Sequence, residues 1–64
     1  MKLKELKKLA KEIVTLERII EADEDANAVK KAKNRILEIS GSIEDVEDMY
    51  QIDELVQEQM QNQS

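Results

Sequence analysis

The chain has no cysteine, histidine, tryptophan, phenylalanine or proline, and its 64 residues include one glycine, Gly41, and one aromatic, Tyr50. The missing cysteine excludes a disulfide framework. With histidine also absent, a Cys/His zinc site and any mechanism needing a thiol or imidazole are excluded too. One aromatic ring cannot build a base-stacking platform for nucleic acid. Apolar runs reach only two residues, as in Ile13-Val14 and Ile19-Ile20, so neither a transmembrane helix nor a secretory leader core is expected, and the expected location is cytoplasmic. The remainder is strongly two-natured, with charged residues at 39% and apolar residues at 41%. That apolar share is too high for a solvated tail, and the length allows one small domain over 1–64.

Apolar spacing is helical throughout and predicts an all-α fold. Leu6, Leu9, Ile13, Leu16 and Ile20 recur at intervals of three and four, as on a heptad seam. Leu3, Ala10, Val14 and Ile19 widen that seam to roughly 200° of the surface of a first helix placed at 2–22. The acids from Glu21 to Asp25 interrupt the rhythm and suit a helix start, where carboxylates cap free amides. A second helix at 25–39 then carries Val29, Ala32, Ile36 and Ile39; the alternative is one bent rod, because no glycine or proline forces a turn there. Ser40-Gly41-Ser42 is the clearest break. Gly41 in a left-handed conformation would close the second helix, and Ser42 would cap a third at 43–60. The third helix uses Ile43, Val46, Met49, Tyr50, Ile52, Leu55, Val56 and Met60, followed by a frayed polar tail at 61–64. These elements are expected to form a helical hairpin or three-helix bundle.

Broad apolar stripes on a chain this short point to self-association. Below about 70–80 residues, a single core rarely offsets the ordering entropy without a metal, disulfides or a partner chain. Five of the apolar residues here are alanines, and none is Phe or Trp. Completion by dimerisation is therefore expected, with Leu6, Leu9, Ile13, Leu16 and Ile20 on one side and Val46, Met49, Tyr50, Ile52, Val56 and Met60 on the other.

Charge is segregated along the chain. Residues 1–35 hold all ten bases and sum to +3, whereas residues 36–64 hold eight acids and no base. Lys4, Lys7, Lys8, Lys11 and Arg18 form a ridge opposite the first seam; Glu44, Glu47, Asp48, Glu54 and Glu58 do the same on the third helix. Glu17 and Asp53 fall close to apolar arcs and are expected either to reach water at the seam edge or to pair with Lys33 or Arg35, setting packing or oligomer register.

Chemical motifs are sparse. Asp23-Glu-Asp25-Ala-Asn27 starts like a calcium loop, but Ala28 stands where the loop needs glycine and Asn34 where it needs a bidentate Glu. Glu21-x-x-Glu24, followed by Glu44-x-x-Glu47 and Asp45-x-x-Asp48, resembles the paired acidic motifs of all-α nucleotide pyrophosphohydrolases. That resemblance covers these acids alone and implies carboxylates on facing helices holding magnesium. A helix-turn-helix reading fails because the would-be reading helix, Ile43 to Tyr50, is acidic and phosphate repels it. The basic ridge of the first helix retains some capacity to touch anionic lipid or nucleic acid.

The expectation is a non-catalytic helical interaction module with no cofactor and no metal, binding itself and presenting a helical surface to another protein. The alternative is an acidic regulator whose third helix occupies the basic groove of a nucleic-acid-binding protein.

Overall fold

The computed structural model describes residues 1–62, and three α-helices account for most of them: α1 at Leu3–Ala22, α2 at Ala26–Ser42 and α3 at Val46–Asn62. No strand occurs among the described residues. The separation of α1 from α2 is real. Asp23 adopts a left-handed conformation (φ 47°, ψ 41°), and its amide donates back to the Ile19 carbonyl at 3.2 Å. Asp25 then starts α2: its carbonyl accepts from the Val29 amide and its Oδ1 accepts from the Asn27 amide, both at 3.0 Å. A side-chain oxygen here satisfies an amide that the helix itself leaves without a partner.

The second break lies farther along the chain than its composition suggests. Gly41 is helical, its φ is not positive, and α2 continues to Ser42. Ser42 does not cap α3; its hydroxyl donates to the Ile39 carbonyl at 2.8 Å, inside the last turn of α2. Asp45 is the cap instead, accepting from the Glu47 amide at 3.0 Å while its carbonyl accepts from Met49 at 3.2 Å. A carboxylate meets the positive end of a helix more strongly than a hydroxyl does, so the start moves to the aspartate. Ile43, expected within the third helix, is an extended linker residue (φ −96°, ψ 113°) whose side chain is buried. At the far end α3 runs through Asn62, where fraying was expected from residue 61; Gln63 and Ser64 of that expected tail lie outside the described residues.

α1 is the shared element. α2 and α3 each pack along it and make little direct contact with one another. Leu6, Ala10 and Val14, one turn apart on α1, meet Ile39 and Ile43 from the α2 end and Ile52 and Val56 from α3. Ala10 has only a methyl group at the centre of this cluster, which permits close approach of the neighbouring helices. Leu9, Ile13, Leu16, Met49, Leu55 and Met60 pack around its edge while staying partly wet. Because both neighbours lie on one helix and not on each other, the molecule is broad and thin: its Cα extents are 33 × 27 × 15 Å.

Candidate interaction surfaces

Seam residues on the described helices divide into three groups. Leu6, Ile52 and Val56 are consumed by the core of the single chain. Leu9, Ile13, Leu16, Ile20, Met49 and Met60 are half-buried along the edges of the helices. Val46 and Tyr50 face outward, at 66% and 68% exposure. They sit one turn apart on the side of α3 away from Ile52 and Val56, with exposed Glu47, Asp53, Glu54 and Gln57 around them.

A second apolar side chain projects outward from α2. Leu37 is 69% exposed, on the side of its helix opposite the Ala32–Ile39 seam. Its helical neighbours Lys30, Lys33 and Asn34 are exposed as well. Sequence reasoning passed over Leu37. Its signal was available: it stands outside the three-and-four spacing of Val29, Ala32, Ile36 and Ile39.

No ion pair joins the register residues to one another among the described residues. Glu17 is half-buried and lines a shallow cleft with Ile20, Glu21 and Ile36 between α1 and α2. Asp53 and Lys33 are exposed, on α3 and α2 respectively. Arg35 pairs with neither Glu17 nor Asp53: its Nε donates to Glu12 at 2.6 Å and its Nη2 at 3.2 Å, and Glu38 approaches at 4.0 Å from within α2. This fork clasps α1 to α2. The Arg35 hydrogen bond holds the Glu12 carboxyl below its ordinary pKa, and Glu12 in turn raises that of Arg35. A further tie joins the chain start to α3, where the Met1 ammonium donates to Asp48 at 3.1 Å.

The basic ridge of α1 is fully developed. Lys4, Lys7, Lys8, Lys11 and Arg18 are exposed, and none joins an ion pair among the described residues. The acidic motifs, by contrast, are scattered. Asp48 lies beside Met1 at the start of α1, whereas Glu21 is at its other end, about 30 Å away at 1.5 Å per residue. No cluster of three or more Asp, Glu, His or Cys able to hold a metal occurs among the described residues. No described helix is long and apolar enough to cross a membrane.

No family model, curated protein or solved structure matches the chain. Its most exposed apolar side chains are Leu37, near Lys30 and Lys33 on α2, and Val46 with Tyr50, near Glu47, Asp53 and Glu54 on α3.

Proposed function

We propose that the chain is a non-catalytic helical interaction module that binds copies of itself. The observation that carries this reading is the surface it leaves uncovered. One copy exposes 5100 Å², whereas a folded monomer of 7.4 kDa is expected to expose about 4200 Å². The difference is comparable to the roughly 800 Å² that each partner contributes to a standard protein interface. Leu37, Tyr50 and Val46 head the uncovered apolar set, followed by Leu3 and Met1, and the half-buried edge of Ile13, Leu16 and Ile20 adds to it. Association would remove this surface from water at about 25 cal/mol per Å² of apolar area. Sedimentation equilibrium across micromolar to millimolar protein tests the reading. The expected result is a mass that climbs above 7.4 kDa with concentration; a constant monomer mass with an equally sharp melt at every concentration overturns it.

A second reading rests on the outer face of α3, where exposed carboxylates surround Val46 and Tyr50 and no base is present. Such a face suits the basic groove of a nucleic-acid-binding protein. It predicts binding that duplex DNA competes away and that high ionic strength abolishes.

A further inference from the structure

The outward patches of α2 and α3 are chemically matched. Leu37 sits among Lys30 and Lys33, and Val46 with Tyr50 sits among Glu47, Asp53 and Glu54, all of them exposed. We infer that the Leu37 patch of one copy seats on the Val46–Tyr50 patch of a second copy, with Lys33 and Lys30 of the first opposite Asp53 and Glu54 of the second. This inference rests on the self-association reading and adds to it which surfaces meet.

Charge decides between the possible pairings. Leu37 packed on Leu37 would bring two lysine-flanked surfaces together, and Tyr50 packed on Tyr50 would bring two carboxylate-flanked surfaces together. Like charges across an interface raise its free energy, and opposite charges select partner and register. Of these three pairings of the α2 and α3 patches, only the crossed one puts apolar on apolar and base on acid at once. The ring of Tyr50 also offers its face to a lysine ammonium, a contact that Leu37 cannot supply to its own kind.

The α1 ridge is the competing occupant for the acidic face. It carries Lys4, Lys7, Lys8 and Lys11, and the exposed apolar side chain beside it, Leu3, lines a cleft against α3 of its own chain with Gln51, Glu54, Leu55 and Glu58, leaving the lysines without an apolar anchor at their centre. Ion pairs in water add little on their own, so a ridge of lysines alone leaves the apolar pair wet.

The test uses full-length chains carrying Leu37→Ser or Tyr50→Ser, with circular dichroism to confirm that helix content is unchanged. Both side chains are exposed and outside the core, so the fold should survive either change. Each variant alone should dissociate about tenfold more readily than wild type, as loss of a central anchor does. An equimolar mixture should regain association, because each variant still carries the patch that the other has lost. Lys33→Asp and Asp53→Lys should each weaken assembly, and the double exchange K33D/D53K should restore it. Failure of the mixture or of the double exchange to recover overturns the crossed pairing. So does weakening by Lys7→Glu with Lys11→Glu while Leu37→Ser has no effect, since that assigns the acidic face to the α1 ridge. Wild type that associates while all of these variants match it leaves self-association standing and removes this pairing. Wild type that stays at 7.4 kDa removes both.

Discussion

At the level of single side chains, burial and partner count decide which positions matter. Leu6 has no exposure at all and belongs to the one cluster in which side chains of all three helices meet. Leu6→Ala should cost about 2–5 kcal/mol, read by urea denaturation, because the thin structure has no other core to absorb the cavity. Glu12 is an exposed group with a directional partner, and its effect is correspondingly small and pH-dependent. The Arg35 hydrogen bond depresses its pKa in the folded chain. A depressed carboxylate contributes stability above its unfolded pKa and loses it as pH falls through the folded value. Thermal midpoints should therefore drop on acidification below about pH 4, and Glu12→Gln should flatten that part of the profile. The Glu12–Arg35 clasp was not foreseen from spacing, because helical periodicity marks which face is apolar but not which flanking charge faces another helix. Glu17 lies five residues farther along the same helix and was the candidate; the rotation of α2 on α1 chose Glu12 instead.

Helix ends obey local chemistry, and here composition misleads at one point. The only glycine invites a left-handed cap, yet Gly41 is helical and a Cβ built there meets nothing within 4 Å. Gly41→Ala should consequently stabilise the chain by about 0.5 kcal/mol through helix propensity and reduced unfolded-state entropy, with the melting temperature as readout. A left-handed cap at this position would give the opposite sign. Asp45→Ala should cost about 1 kcal/mol and Ser42→Ala clearly less, since the aspartate holds the Glu47 amide while the serine hydroxyl donates to a carbonyl within its own helix. The helical stripes were readable from the spacing of Leu6 to Ile20, of Val29 to Ile39 and of Val46 to Met60, whereas one bent rod remained an alternative for the first two until Asp23 and Asp25 were seen to end α1 and start α2. The 40–45 boundary was not readable from spacing either. Three potential caps (Ser40, Ser42 and Asp45) compete within six residues, and burial of Ile43 in the core settles the contest in favour of the last.

For the whole molecule, shape governs behaviour. The radius of gyration is 12.0 Å, against about 11 Å for a domain of this length. Two helices packed along a third, with little contact between them, bury a modest cluster and leave Leu37, Val46 and Tyr50 in water. If assembly covers them, folding and association are linked by mass action, and the melting temperature should rise by about 3–5 °C for each tenfold increase in protein concentration. Scanning calorimetry over two decades of concentration checks this; a fixed midpoint would show that one copy is stable unaided.

Helical character, the three apolar stripes and the division into a basic first part and an acidic second part were already dictated by residue order, because each depends only on periodicity and counting. Folding in three dimensions decided which stripe residues meet inside one copy and which look outward. Leu6 and Tyr50 both belong to apolar stripes defined by spacing, yet one is sealed and the other bare. The apolar arc of α3 is broad enough to offer two sides, and its rotation against α1 buried the Ile52–Val56 side and left the Val46–Tyr50 side in water.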